Sequence, residues 1–405
     1  MELLGVWPPL LPIIVKNELG QPMPENYDFD AAIMQRDRVC QITLFHLSDS
    51  QLQRLARATQ GPFPALIHVS LQSGHNNSHH AAPPLPDGFL GGAFPHLQFL
   101  ALHSIPFPAL PKLLLSATDL VHLALERVPH NGYISPEAVV TCLAVMANLK
   151  HFTLEFQSPQ PRPDLGRRRP SLPTQFVLRA LTHLRFRGVN EYLEDLVARI
   201  DAPVLGTVWI TFFHQLIFDT PRLAQFMRCT IKFKALNEAR VFFNKDHVLI
   251  EFFPPTQTSD IVLMLIVSCS ESDWQLSSPA QICTSSFPPV YMVEHLYVDE
   301  DRFSNQYWQD DIDNTQWLEL FQPFTDVKNL YLSKKFVSCV ATTLQDLTGE
   351  RVTEVLPILE SLFLEEFRPS GPVQEALGRF VDARRLSGHS ITVSQWDGAR
   401  RVMVG

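Results

Sequence analysis

Apolar and polar positions follow one short pattern that recurs along the chain. An apolar residue is followed by two others, a second apolar residue, one other and a third apolar residue, as in LVHLAL from Leu120. Each copy contains a stretch that alternates between apolar and polar residues, which predicts a short β-strand with one buried face. The copy LMLIVS is the weakest. The copies begin at Val39, Leu66, Leu97, Leu120, Leu149, Leu181, Leu205, Leu236, Leu263, Val293, Val327 and Leu359.

Helical segments with recognisable start signals separate the predicted strands. Ser135 stands before Pro136 and Glu137, which is the order of an N-cap residue, a proline at the first helical position and an acidic residue in the first turn. Similar reasoning gives candidate N-caps at Ser48, Ser135, Asn190 and Thr220. Further helices are predicted at residues 313–321, 340–348 and 373–385.

One strand and one helix in each unit of about 29 residues is typical of a leucine-rich repeat, whose small units stack into a solenoid. The sequence therefore predicts an α/β fold: a leucine-rich-repeat-like solenoid with degenerate long repeats, a parallel concave sheet and helices on the convex side. We expect residues 1–36 to form an N-terminal cap with the first strand and helix, and residues 37–405 to form the solenoid. Turn-rich surface insertions are expected near residues 73–93, 157–175 and 299–313. The alternative is two ordinary α/β domains with scattered strands.

Charge and cysteine content narrow the function classes. The 42 acidic and 33 basic residues give a formal net charge of −9, whereas nucleic-acid binders usually carry a basic surplus. The six cysteines contain no C-x-x-C spacing, which favours isolated thiols in a reducing compartment over a disulfide framework or a zinc site. The sequence has neither a signal-peptide pattern nor an apolar run long enough to cross a bilayer. We therefore expect a soluble protein in the cytoplasm, the nucleus or both.

The sequence contains no recognisable motif for catalysis or cofactor binding. The nucleophile elbow, the P-loop, the dinucleotide-binding glycine pattern and the H-E-x-x-H zinc motif are all missing. His75, His79 and His80 could bind a metal, but a solvated polar loop is the simpler interpretation. We expect no enzymatic activity, no cofactor and no resident metal. The alternative is an enzyme with an unrecognised site in the insertions near residues 73–93 or 299–313.

Equivalent residues of neighbouring parallel strands lie about 4.8 Å apart, so stacked repeats should form rows of side chains. The residue before the central apolar position should lie on the exposed face of the sheet. In order, this residue is His68, Phe99, His122, His151, His183, Thr207, Glu238, His295, Asn329 and Ser361. Because His122, His151 and His183 belong to successive units, we expect them to form a ladder. A zinc-binding or pH-sensing role of this ladder is a second hypothesis.

A second exposed row should lie two residues further along each strand. Near the C-terminus it places Tyr297, Tyr331 and Phe363 side by side, and exposed aromatic residues are common anchors for a protein partner. We therefore predict a protein-binding surface on the exposed face. The alternative is that these positions tolerate any residue and that the insertions cover the aromatic side chains. The candidate partner-binding residues are His122, His151, His183, Trp209, His295, Tyr297, Tyr331 and Phe363.

The chain also resembles the large family of F-box/leucine-rich-repeat-like proteins of mushroom-forming fungi. The resemblance is carried by VWPPLLPIIV, DAAIMQRDRVCQITL, FPALPKLLLSATDLVHLAL, HNGYISPEAVVTCLA, EYLEDLVARIDAPVL, FFHQLIFDTPRLAQF, ESDWQLSS, WQDDIDNTQWLELFQPFTDVKNLYL and RVTEVLPILESLFLE. It implies an N-terminal F-box that binds the adaptor of a cullin-type ubiquitin ligase, and a repeat array that captures the substrate. This chain begins at about the position where the family's F-box ends. The resemblance carries over no site residues.

The residues and the resemblance together predict a non-enzymatic protein–protein interaction module. Specifically, we expect the substrate-recognition repeat region of an F-box-type ubiquitin-ligase receptor that lacks its F-box. The expected partner is a protein substrate on the concave face, with the cullin-ligase adaptor as a partner only if an F-box exists upstream. Neither nucleic acid nor a membrane is expected as a partner. The alternative is an orphan binding or scaffold protein.

Overall fold

Most copies of the apolar pattern correspond to strands that pair side by side within two structural units, Met1–Leu205 and Gly206–Gly405. The three apolar residues of a copy are buried, as Leu120, Leu123 and Leu125 illustrate. The coordinates are those of a computed structural model. It describes residues 11–17, 29–74, 82–159, 175–215, 217–244, 246–255, 261–268, 272–284, 288–300, 314–347, 349–365 and 371–397.

The first unit contains a sheet whose strands are all parallel. The strands of this unit are β1 Ile13–Lys16, β2 Val39–Leu47, β3 His68–Ser73, β4 Phe99–His103, β5 His122–Val128, β6 His151–Phe156, β7 Phe176–Val177, β8 His183–Gly188 and β9 Ile200–Asp201. The sheet order is β1-β2-β3-β4-β5-β6-β8, and β7 pairs with β9 in a separate parallel pair. Strand neighbours in the sheet are therefore neighbours in the chain, as stacked repeats require.

The helices of the first unit confirm two predicted caps and correct a third. They are α1 Asp30–Ile33, α2 Asp49–Ala58, α3 Leu110–Leu114, α4 Pro136–Leu143 and α5 Asn190–Val197. Ser48 forms a capping box with Gln51 at the start of α2, and the Ser135 hydroxyl accepts a hydrogen bond from the Ala138 amide at the start of α4. Asn190 is not a cap, because the extended backbone of Val189 places the N-cap one residue earlier.

The second unit has a mixed sheet. Its strands are β10 Thr207–Phe212, β11 Glu238–Phe243, β12 His247–Phe253, β13 Leu263–Ser268, β14 His295–Glu300, β15 Asn329–Leu332, β16 Ser361–Glu365 and β17 Thr392–Trp396. They lie in the order β10-β13-β12-β11-β14-β15-β16-β17. All described neighbouring pairs are parallel except those that β12 makes with β11 and β13.

The antiparallel strand β12 corrects the prediction of a purely parallel sheet. Only three residues connect β11 to β12, which is too short for the helix that a parallel connection needs, so the chain forms a hairpin. The pattern copy assigned at Leu263 is also wrong. In β13 the buried residues are Leu263, Leu265 and Val267, which is a plain alternation between two faces.

The helices of the second unit include the three whose ranges the sequence predicted. The helices of this unit are α6 Pro221–Cys229, α7 Ser272–Thr284, α8 Asn314–Phe321, α9 Lys334–Gln345 and α10 Pro372–Leu386. Helix α8 agrees with its predicted range to within one residue, and α9 and α10 are longer than predicted. Helix α6 begins at Pro221 as predicted, although the Thr220 side chain makes no capping hydrogen bond. Helix α9 begins six residues before the predicted 340–348, because Phe336, Val337, Val340 and Leu344 form one buried helical face. Helix α7 was not predicted, since Pro279 lies inside it.

Part of the first insertion is packed rather than exposed. In residues 82–93, Leu85, Phe89 and Leu90 are buried, and Phe89 makes an edge-to-face contact with Phe107 at 5.7 Å. The prediction of a surface loop is therefore wrong for these apolar residues, because their side chains are buried in the core. Most of the other predicted insertion residues, 75–81, 160–174 and 301–313, lie outside the described residues, as do His75, His79 and His80. Residues 299 and 300, predicted to begin the third insertion, instead end strand β14.

Candidate functional site

The five residues that precede the central apolar position in the first unit form one continuous row of rings. They pair directly across β3, β4, β5, β6 and β8. This histidine row consists of His68, Phe99, His122, His151 and His183. Successive ring centroids lie 4.1, 4.4, 5.4 and 4.3 Å apart, and successive ring planes differ by 8–31°. The predicted ladder of His122, His151 and His183 thus extends by two further rings.

Two histidines of the stacked row have lowered pKa values. Burial lowers the pKa of His68. Burial and the neighbouring charge of His151 lower the pKa of His122, while Glu126 opposes this. Both shifts favour the neutral imidazole, which stacks on its neighbours without charge repulsion. In the described part of the chain, no group of three or more His, Cys, Asp or Glu side chains could hold a metal ion.

Beside the histidine row, the next two rows of the first unit have a different character. The second row begins with the small residues Ser70, Ala101, Ala124 and Thr153. The third row contains a hydrogen bond between His103 Nδ1 and Glu126 Oε2 at 3.1 Å, and this hydrogen bond is the main cause that lowers the pKa of Glu126. The exposed face of this sheet therefore carries three neighbouring rows of side chains: the histidine row, a row that begins with small residues, and a row that contains the His103–Glu126 contact.

The second unit carries the other predicted row, which we call the aromatic row: Tyr297, Tyr331 and Phe363. These residues are directly opposite one another on β14, β15 and β16. The rings of Tyr297 and Tyr331 stack with centroids 4.1 Å apart, those of Tyr331 and Phe363 with centroids 4.5 Å apart, and both pairs are within 8° of parallel. The side chains are half-buried, because each ring covers its neighbour.

Two residues outside the aromatic row contact its rings. Trp396 on β17 packs edgewise on Tyr297 and Tyr331, with centroids 5.8 and 5.5 Å away. Arg240 on β11 lies over the Tyr297 ring at 5.5 Å and pairs with Glu238 through a contact of 2.6 Å. Burial and the carboxylate of Glu238 raise the pKa of Tyr297, and burial also raises the pKa of Tyr331. The two phenols are therefore neutral hydrogen-bonding groups at physiological pH.

The remaining two predicted site residues lie outside the aromatic row. His295 is beside the aromatic row, with its ring centroid 6.4 Å from that of Tyr331. Trp209 is half-buried on β10, and strands β13, β12 and β11 separate it from β14. The sequence interpretation missed Trp396, because its strand does not belong to a copy of the apolar pattern. The available signal was the alternation within TVSQW, the sequence of that strand.

Among the described residues, the cysteines and helices add no candidate site. None of the five described cysteines forms a disulfide; they are Cys40, Cys142, Cys229, Cys283 and Cys339. Among the helices that the structure describes, none has the length and apolar character needed to cross a bilayer.

Comparisons with known proteins give a limited result. No family model matches the chain, and no curated protein matches it significantly. Among solved structures, the chain is similar to the leucine-rich repeat-containing protein LegL7 from Legionella pneumophila, with 12% sequence identity and a TM-score of 0.31. The match covers 93% of this chain and 98% of that chain. At this level of similarity, nothing about that protein carries over to this one.

Proposed function

We propose that this chain is a non-enzymatic protein-binding module that binds a partner on the exposed face of its sheets. The observation that carries the proposal is the aromatic row, in which Tyr331 is stacked between Tyr297 and Phe363. Large aromatic side chains are frequent anchors of protein interfaces. Rings that their neighbours already hold in place lose little conformational freedom when a partner binds.

The alternation of strands and helices supports the same proposal. Within it, we interpret the fold as a leucine-rich-repeat-like solenoid with residues 1–36 as its N-terminal cap. The exposed rows come from equivalent positions of consecutive units, so they extend across several strands. Repeat proteins use such extended surfaces to bind partners.

The resemblance to F-box/leucine-rich-repeat-like proteins gives a finer version of the proposal. In this version, the chain is the substrate-recognition region of a ubiquitin-ligase receptor, and an upstream F-box binds the adaptor of a cullin ligase. Affinity capture can compare this chain with a form extended by the in-frame upstream sequence. Recovery of adaptor and cullin by the extended form alone supports the receptor role, and recovery by neither form contradicts it.

Partner capture with face variants tests the general proposal. The full chain is immobilised, and proteins bound from an extract of the source cells are quantified by mass spectrometry. Tyr331→Ala and Phe363→Ala should each reduce recovery of the main partner by about tenfold or more, with an unchanged circular dichroism spectrum. Tyr291→Ala removes an exposed tyrosine outside the row and serves as the matched control. Equal recovery by all variants contradicts the proposal.

A further inference from the structure

A basic segment lies within the acidic second unit. The 18 residues between Asp219 and Glu238 contain no carboxylate side chain and four cationic ones. The other residues of 206–405 contain 25 acidic and 13 basic side chains, a formal charge of −12. The segment therefore has the opposite sign of charge to the rest of its unit. Its cations are Arg222, Arg228, Lys232 and Lys234.

The local fold holds part of this segment at the surface. Helix α6 is followed by a short 3₁₀ helix, Ile231–Ala235. Thr230 and Phe233 are buried, and the Thr230 hydroxyl donates a hydrogen bond to the carbonyl oxygen of Phe226 at 3.3 Å. With about three residues per turn, Ile231 and Lys234 lie on one side of the 3₁₀ helix, away from Phe233. Both are exposed, as is Lys232 between them.

An apolar side chain lies among these cations. Ile231 is 74% exposed, and Lys234 is one turn away on the same side of the helix. Arg228 in the last turn of α6 is also exposed, as is Cys229, which follows it. We call Arg228, Ile231, Lys232 and Lys234 the basic patch. It offers both cationic and apolar contacts to a ligand.

The two lysines of the basic patch differ from other lysines of the same unit. Lys328 is paired with Glu294, and its Nζ lies 2.8 Å from the Oε1 atom of that residue. By contrast, no carboxylate in the described part of the chain pairs with Lys232 or Lys234. An anion from outside can therefore bind these two lysines without displacing a described carboxylate.

We propose that the basic patch binds an acidic segment of a partner protein. Carboxylates of the segment pair with the two lysines and Arg228, and an apolar side chain between them packs on Ile231. Charge complementarity favours this ligand, since the basic patch attracts anions. The inference goes beyond the proposed function, because the basic patch lies on helices and not on the exposed face of a sheet.

A short acidic segment fits the basic patch better than a long polyanion does. At physiological ionic strength, exposed charges act over a distance of only about 8 Å, so a short segment responds mainly to the basic patch. A nucleic acid or an anionic membrane extends further and is repelled by the charge of −12 on the rest of the unit.

Peptide binding tests the charge preference. The probe is a fluorescein-labelled peptide of glutamate and serine with one central leucine, and in the matched control glutamine replaces every glutamate. At about 150 mM salt, the full chain should bind the acidic peptide at least about tenfold more tightly than the control. Equal affinity for the two peptides, or binding of neither, overturns the inference.

Two double variants test the position. Lys232→Glu combined with Lys234→Glu should weaken binding of the acidic peptide by at least about tenfold, because the lysine pairs become repulsive. Lys112→Glu combined with Lys150→Glu changes the net charge equally at exposed lysines of the first unit, and should change the affinity by less than about twofold. Equal weakening by both double variants overturns the inference.

The apolar contact has its own test. Ile231→Ser should weaken binding of the leucine peptide by about threefold, because it removes the apolar surface that the leucine covers. An acidic peptide with serine in place of leucine should bind the wild type and Ile231→Ser equally. An unchanged affinity of Ile231→Ser for the leucine peptide contradicts the contact.

Cys229 locates the bound peptide on the unmodified chain. Because this exposed thiol follows Arg228, saturating acidic peptide should slow its modification by iodoacetamide by at least about twofold. The glutamine peptide should leave the rate unchanged. If the acidic peptide binds and the rate at Cys229 stays the same, the peptide does not occupy the basic patch.

Other polyanions are compared with the acidic peptide. The probes are vesicles of phosphatidylcholine and phosphatidylserine in equal parts, and single-stranded oligothymidine. Both should bind more weakly than the acidic peptide. Tighter binding of either probe, lost in the double variant of Lys232 and Lys234, overturns the assignment to a protein segment.

Discussion

Nη2 of Arg384 donates a hydrogen bond to the carbonyl oxygen of Leu356 at 3.0 Å, and Leu356 itself occupies the left-handed region with a φ of 50°. Arg384 is fully buried in helix α10, and its guanidinium also donates to the carbonyls of Val352, Pro357 and Leu359. Four carbonyl groups before β16 thus share one donor side chain. This contact fixes the segment that leads into the strand carrying Phe363.

Replacement of Arg384 should strongly destabilise the fold. Arg384→Met keeps most of the side-chain volume but leaves the buried carbonyl groups without their donor, so the free energy of unfolding should fall by about 3–5 kcal/mol. Urea unfolding followed by circular dichroism measures the change. Arg385→Met is the matched control, because the Arg385–Asp382 pair is exposed and its loss should cost less than about 1 kcal/mol. Similar losses in both variants would disprove the role given to Arg384.

The packed half of the first insertion gives a second prediction. Gly91 has a φ of 77°, and a Cβ atom at this position would lie 2.7 Å from the backbone nitrogen of Pro62. Gly91→Ala should therefore lower the free energy of unfolding by roughly 2–4 kcal/mol. Gly88→Ala should be nearly neutral, since a Cβ there meets nothing within 4 Å. If the two variants unfold at the same urea concentration, the segment is not packed as described.

Much of the sheet could be predicted from sequence, because a repeated apolar pattern places equivalent residues in equivalent environments. The face-to-face contacts within the histidine row and the aromatic row follow from the parallel pairing of successive strands. Strand β12 could not be found in this way, because its apolar residues simply alternate and its direction depends on a three-residue connection.

Other parts of the candidate site depend on tertiary contacts that the pattern does not encode. Strand β17 has no fully buried residue, so its sequence lacks the apolar signal of a central strand. Trp396 reaches the tyrosines through its long side chain rather than through its strand position. The contacts of Arg240 with the rings of Tyr297 and Phe253 likewise require the pairing of β11 with β14 and β12, which only the folded sheet provides.

Cysteine reactivity provides a third prediction. Burial raises the pKa of the Cys283 thiol to about 12 and that of Cys142 to about 11, whereas Cys229 is exposed. At pH 8 iodoacetamide should therefore modify Cys229 in the folded protein and leave Cys283 and Cys142 intact, because the thiolate is the reactive form. Peptide mass spectrometry gives the extent of modification, and the urea-unfolded protein is the control in which all three should react. Rapid modification of Cys283 in the folded protein would contradict its burial.

The histidine row should make stability depend on pH. The pKa values of His68 and His122 are lowered in the folded protein, mainly by burial, whereas in the unfolded chain both imidazoles titrate near 6.5. The unfolded chain therefore binds more protons than the folded protein as the pH falls through this range. The sign follows directly: the free energy of unfolding should be highest above about pH 7 and should decrease on acidification below 6.5. Glu126 reduces this effect at His122, because its carboxylate favours the imidazolium.

His122→Phe separates this effect from general acid destabilisation. The new ring keeps the stack between Phe99 and His151 but cannot take up a proton, so the loss of stability between pH 7 and pH 5 should be smaller than in the wild type. Urea unfolding followed by circular dichroism at both pH values measures the difference. His389→Phe replaces an exposed imidazole outside the row and should keep the wild-type dependence. If His122→Phe also keeps it, protonation of His122 does not contribute to the pH dependence of stability.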